Sequence, residues 1–209
     1  MELELDEFMH WRAVRTDGYP IKPKPHRAAG VVGALVALGL CLCPPPTQSA
    51  TAPTESQVEA VFVYNFSRFV EWPPQAFAAG DGPFVIGILG SDPFGGRLDE
   101  AVHGEQINGH ALEIRRFRNV SEVGNCQILF IDRSQGSEIK NILNSLDHRS
   151  ILTVSALEDS TKYGVMVQFA TENNRVRLRI NVDSAKAAGL TISSKLLRPA
   201  EIVTSGGTP

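Results

Sequence analysis

The residues whose types and spacing could do chemistry lie at two breaks rich in glycine and serine, each following an apolar run. Gly90-Ser91-Asp92-Pro93, with Gly95 and Gly96 close behind, ends the run Phe84 to Leu89. Asp132, Ser134, Gly136 and Ser137 follow the run Cys126 to Ile131. Loops at the carboxyl ends of parallel strands are where ligands bind in open α/β sheets. Each break could also turn backbone N–H groups at a helix start toward an anion. Ser91, Asp92 and Ser134 are therefore pocket candidates for a small ligand of unknown identity. Neither break has the spacing of a phosphate-binding loop, and caps and turns account for the same residues without a ligand.

Catalysis finds little support. Ser91 lacks the G-x-S-x-G context of a nucleophile elbow. His103, His110 and His148 are scattered singly, and no Cys or His stands at metal-ligand spacing. The sequence thus assigns no catalytic residue, no metal and no cofactor. Arg175, Arg177 and Arg179 alternate along one segment and give it a basic face, suited to an acidic partner, a nucleotide or an anionic lipid. A solvated outer face explains the pattern as well, because antiparallel strands commonly leave one side wet. Tyr64 and Trp72 combine an apolar body with a polar tip and are further pocket candidates. Core packing explains them equally.

The elements that must position these residues follow from periodicity. Thr54 and Gln57 form a capping box, and the helix they open is expected to reach Trp72, where Pro73 and Pro74 stop it. Val58, Phe62, Phe66 and Phe69 line one face of it. Phe84 to Leu89, Cys126 to Ile131 and Ile151 to Val154 are continuous apolar runs, with Ala111 to Phe117 a further strand of ambiguous facing. Helices are expected up to His103 after the first run and over Gln135 to Leu146 after the second. Strands buried on both faces and separated by helices predict a largely parallel sheet. Tyr163 to Phe169 and Val176 to Val182 alternate as half-buried strands, and Thr171 to Asn174 supply the turn of an antiparallel hairpin that closes the sheet. Asp183 or Ser184 is expected to cap a short helix ending at Gly189, and Ser193 or Ser194 to open another. The fold class predicted is α/β: a single domain with a mixed, mostly parallel sheet flanked by helices and a C-terminal antiparallel hairpin.

The chain has 209 residues, a net charge of -3 and a hydrophobic share of 43%, a balance that does not suggest a nucleic-acid partner. Lys22, Lys24, His26 and Arg27 precede an apolar run from Ala28 to Cys43, followed by Pro44, Pro45 and Pro46 and a polar stretch to Ala52. That order is the one of a secretory signal peptide, and the run is short for a membrane span. Residues 1–21 read as a leader, 22–52 as the signal peptide, 53–204 as the domain and 205–209 as a disordered tail, so export to the periplasm is expected. Leu40 and Leu42 stand before Cys41 and Cys43 where lipid-attachment signals want a small residue. Cys126 is then the only cysteine of the exported domain and reads as a small buried apolar residue.

The segments Tyr64-Asn65-Phe66 through Val70-Glu71-Trp72-Pro73, Asp92-Pro93-Phe94-Gly95, Cys126 to Ile131, Ile151 to Ser155, and Ile180-Asn181 leading to Ala188 through Leu197 resemble, in order and spacing, the YfiR family of periplasmic proteins. The resemblance covers nearly the whole domain. It implies a non-enzymatic regulator that binds the periplasmic part of a membrane diguanylate cyclase of the YfiN type and holds it inactive. Cyclic di-GMP would fall and biofilm formation be restrained. It also implies a mixed α/β fold and a homodimer. On that reading the partner surface includes Arg175, Arg177, Arg179 and the segment Leu196, Leu197 and Arg198. The other reading is a periplasmic small-ligand sensor reporting to a membrane kinase or transporter. Two departures stand out. Cys126 lacks the partner that structural or redox-responsive disulfides of the family require, and Pro199 stands where the family continues Leu-Leu-x-Leu-Ala, which predicts an early helix end.

Overall fold

A computed structural model describes residues 53–77, 82–147, 149–173 and 175–204. The expected leader, signal peptide and tail lie outside the described residues. In chain order the elements are α1 (Glu55–Phe69), β1 (Val70–Glu71), β2 (Phe84–Leu89), α2 (Gly96–Val102), β3 (Gln106–Ile107), β4 (His110–Phe117) and β5 (Ile128–Ile131). Then follow α3 (Ile139–Ser145), β6 (Leu152–Ser155), β7 (Val167–Glu172), β8 (Arg175–Asn181), α4 (Val182–Ala187), β9 (Thr191–Ile192), α5 (Ser194–Leu197) and β10 (Glu201–Val203).

The main sheet has eight strands in the order β10-β8-β7-β6-β5-β2-β4-β3. Neighbours from β4 through β2, β5 and β6 to β7 are parallel, β7 and β8 form the antiparallel hairpin, and β10 returns parallel to β8. The chain is thus a single α/β domain with a mostly parallel mixed sheet, as its apolar runs predict. From β2 it passes to β4 on one side, then crosses back to β5 on the other and continues outward. That reversal is the switch point of a doubly wound sheet, and it lies between β2 and β5.

Continuous apolar runs fill both faces. Phe84, Ile86 and Ile88, Ile128 and Phe130, Leu152 and Val154, Val167 and Phe169, Leu178 and Ile180 meet α1 and α2 on one side. Val85, Leu89, Leu129 and Ile131 meet Ile139 and Ile142 of α3 and its C-cap Leu146 on the other. On this second face a Cβ at Gly87 would sit 2.8 Å from Phe117 and 3.0 Å from Cys126 Sγ, so any larger residue there would force those side chains to move. Cys126 Sγ donates to the Ile128 carbonyl at 2.7 Å and burial pushes its thiol up to about 12. It is a packed apolar residue, without thiolate character near neutral pH.

The local departures from expectation have physical causes. The capping box forms, with Thr54 N–H donating to Gln57 Oε1 at 2.7 Å, yet α1 ends at Phe69 and not at Trp72. β-branched Val70 turns extended and pairs, with Glu71, against β9. The buried stripe of α1 is Glu59, Ala60, Val63, Phe66 and Ser67, while Val58, Phe62 and Phe69 are only half-buried. The segment expected to be helical from Gln135 opens as a 3-10 stretch, Arg133–Glu138, before α3. Ser160–Tyr163 forms a 3-10 turn closed by Gly164 at φ 107, which delays β7 to Val167. The hairpin does not close the sheet, because β10 pairs outside β8. Asn181, rather than Asp183 or Ser184, caps α4 by accepting from Ser184 N–H at 3.0 Å. Ser193 caps α5, which has four residues and ends two positions before Pro199.

Candidate functional site

The two breaks singled out by sequence meet at the switch point. Gly90, at φ 95, closes β2, and a Cβ there would lie 2.8 Å from Ser134 Oγ and 3.0 Å from Gln135. Ser91 N–H reaches Ser134 Oγ at 3.5 Å. The crevice in which doubly wound sheets hold ligands is therefore filled by the protein's own Ser134 and Gln135. Asp92 is equally occupied. Its Oδ1 accepts from Phe94 and Gly95 N–H at 2.8 and 3.1 Å, and its Oδ2 from Arg116 Nε at 2.8 Å. Arg116 also binds Asp99 of α2 at 2.6 Å, holding that carboxyl below the usual carboxylate range. Asp132 Oδ2 accepts from Ser134 N–H at 2.9 Å. Ser91, Asp92 and Ser134 thus come together, and the bonds they make build the loops.

Just beneath these loops lies a residue that sequence reasoning missed. Glu59 faces inward from α1 and is 4% exposed, and its Oε1 has no hydrogen-bond partner. Burial first, then the charges of Glu55 and Asp132, push its carboxyl up to about 7, against the opposing pull of Arg133. One helical turn away, Glu55 Oε1 accepts from Arg133 Nη2 at 3.1 Å and from Thr171 Oγ1 at 2.6 Å, while Arg133 Nε donates to the Ala156 carbonyl at 2.9 Å. Arg133 therefore fastens the start of α1 to the carboxyl ends of β5 and β6. The available signal was spacing: Glu59 stands four and seven residues ahead of Val63 and Phe66, in the buried stripe.

At the opposite end of the same strands stands Trp72. Its Nε1–H donates to the Gln127 carbonyl at 3.0 Å and its ring meets Phe84 edge-on at 4.9 Å. Gln127, buried, accepts from Val85 N–H at 2.7 Å through Oε1 and donates to the Ala76 carbonyl at 2.7 Å through Nε2. Trp72 and Ser91 are separated by the length of β2, about 17 Å at 3.3 Å per residue, so they do not share a pocket. Tyr64 lies elsewhere again. Its hydroxyl donates to Glu105 Oε2 at 3.0 Å, the Arg68 guanidinium covers its ring at 5.4 Å, and burial together with the Glu105 bond raises its phenol. A groove of about 290 Å³ opens between α3 and α4, lined by Leu146, Arg149, Thr153, Met166 and Ser184, and none of the pocket candidates reaches it.

The basic residues form a surface. Arg175 and Arg177 of β8 are exposed and make no ion pair among the described residues, whereas Arg179 pairs with Glu172 at 2.8 Å and Glu201 at 2.9 Å. All three alternate with Leu178 and Ile180, which face α1 and α2, so the arginines lie on the other side of the sheet. Leu196 is fully buried and Leu197 half-buried in the core on the α1 side, and Arg198 is exposed. The two halves of the expected partner surface therefore rest on opposite faces.

Together these features define a doubly wound α/β domain that offers surfaces, with no metal-ligating cluster among the described residues. The chain belongs to the YfiR/HmsC-like family, whose model matches residues 56–201, from the second residue of α1 to the first of β10. Members of that family are regulators rather than enzymes. No curated protein matches the chain. Among the described residues, no helix is long and apolar enough to cross a membrane.

Proposed function

We propose that this protein is a periplasmic, non-enzymatic regulator that binds a membrane diguanylate cyclase of the YfiN type and holds it inactive, lowering cyclic di-GMP and restraining biofilm formation. The family match over residues 56–201 carries this reading. The segment Lys22 to Ala52 supplies the export signal, residues 53–204 the working domain and 205–209 a tail. Inhibition requires that the domain bind the cyclase's inactive conformation more tightly than its active one. Arg175 and Arg177 form the contact surface because their charges are exposed and uncommitted to ion pairs among the described residues, while Arg179 is held within the sheet. Arg198 offers a second contact on the far face. The domain acts as a homodimer.

Pull-down of the exported chain from membrane extract, with cyclic di-GMP measured after deletion of the gene, tests the reading. A cyclase in the eluate and a raised nucleotide level are expected. An unchanged nucleotide level with no cyclase captured sinks it. Reversing Arg175 and Arg177 to Glu is expected to abolish capture while leaving the thermal unfolding temperature within a few degrees, since exposed charge changes away from structural contacts cost little stability.

A further inference from the structure

We propose that Glu59 is a proton-operated latch that holds the N-terminal half of α1 on the carboxyl edge of the sheet. The latch stands apart from the cyclase reading and needs no partner. Its basis is a mismatch of charge and burial. Glu59 is 4% exposed with one carboxyl oxygen unpartnered, a placement that a neutral acid tolerates and a carboxylate does not. The charged groups facing it are Glu55 on its own helix, and Asp132 and Arg133 on the segment after β5. With Glu59 protonated, one guanidinium faces two carboxylates. With Glu59 ionised, the same guanidinium faces three.

The charges on the other elements packed against α1 offer no relief. On α2, Asp99 is bound by Arg116 while Arg97 and Glu100 are exposed, and the arginines of β8 lie on the far side of the sheet. Ionisation therefore has one way to lower its energy, which is to bring Glu59 to water. That movement lifts the first turns of α1 and opposes the Arg133 bridge from Glu55 to Ala156. The loop Asp132 to Ser134, which closes the switch-point crevice against Ser91, rides on the same bridge.

The sign follows from the direction of the shift. The group's affinity for the proton is higher folded, with a value of about 7, than at its ordinary 4.5. The stabilisation is complete below about 4.5 and is lost as pH rises through about 7. Across that window the folding equilibrium constant is expected to fall by up to about 300-fold, tenfold per pH unit for one proton.

Urea unfolding of the purified chain between pH 4.5 and 8.5, compared with Glu59→Gln, tests the latch. The wild-type chain is expected to lose stability through pH 7, and Glu59→Gln to lose that slope while matching the wild type at low pH. A slope that persists unchanged in Glu59→Gln overturns the proposal, because another group would then be its source. If the variant fails to fold, the wild-type chain decides. A ¹³C carboxyl titration of Glu59 with a midpoint near 7, accompanied by amide protection factors over Ala60 to Phe66 that fall in the same range after correction for the base catalysis of exchange, supports the latch. A midpoint in the ordinary carboxylate range, or protection in α1 that does not change with pH, overturns it.

Discussion

The two ends of strands β2 and β5 solve the same problem with different chemistry. Each end must fasten a flanking segment across two parallel strands. At the amino end Gln127 does so with a neutral amide: Oε1 holds Val85, Nε2 holds Ala76, and its carbonyl receives Trp72. At the carboxyl end the fastening is ionic, through Glu55 and Arg133, and a buried acid with an idle oxygen sits beneath it. An amide keeps its bonds at any physiological pH, whereas a buried acid is stable only while protonated. One end is therefore permanent and the other conditional, although the strands between them are continuous.

The largest effect is expected from breaking the permanent end. Gln127→Leu keeps the volume roughly constant but strips Val85 N–H of its acceptor and Ala76 of its donor, one of them fully buried. The cost should be about 3 kcal/mol, from the desolvation of groups left unpaired. Urea unfolding at pH 5 measures it, and Trp72 emission should move to the red as the loop that carries it loosens. Equal loss at pH 5 and pH 8 would sharpen the contrast. A strongly pH-dependent loss would erase it.

At the conditional end the second effect has the opposite sign. Glu59→Gln supplies the neutral form permanently, so it should stabilise the chain at pH 8 by about 2 kcal/mol and leave it unchanged near pH 4, less than the full shift because α1 can lift and let the ionised carboxylate reach water. Thermal unfolding at the two pH values checks this directly. Destabilisation at pH 8 would mean that the ionised carboxylate finds a partner.

These two residues also mark how far the sequence could be read. Apolar runs bounded by turn residues were enough to locate β2, β5 and β6, because strands buried on both faces need no alternation. The hairpin was legible from Arg175 to Val182 because one face stays wet. β10 was not, since three residues after Pro199 carry no period, and its placement depends wholly on pairing with β8. Strand-end logic singled out the serines and Asp92, which the fold brings together, yet which atoms they bind depends on tertiary neighbours such as Arg116, 24 residues from Asp92. Glu59 and Gln127 escaped notice because their types predict exposure. Only their positions in otherwise buried patterns speak against it.

The third effect concerns the bridge itself. Arg133→Ala removes a half-exposed ion pair with Glu55 and the bond to Ala156, which together should cost about 1 kcal/mol. More telling is the titration of Glu59. Among the described residues Arg133 is the cation that pulls its carboxyl down, so the variant should titrate at higher pH than the wild type. An unmoved midpoint in a ¹³C titration would detach the guanidinium from the buried acid and leave the two features of this end independent.

The smallest effect tests whether the crevice is closed by design of the loops or by weak contact alone. Ser134 Oγ meets Ser91 N–H at 3.5 Å, at the outer limit of a hydrogen bond, while its backbone N–H is held by Asp132 at 2.9 Å. Ser134→Ala deletes the first and keeps the second. Stability should change by less than about 0.5 kcal/mol, since both groups lie at the surface where water can replace the lost bond. Amide exchange at Ser91 should nevertheless quicken, because its only acceptor here is the hydroxyl removed. Unchanged exchange would show that Gln135, packed against Gly90, closes the crevice by shape. The carboxyl end would then be conditional in its charge but not in its form, and the difference between the two ends would narrow to the single proton on Glu59.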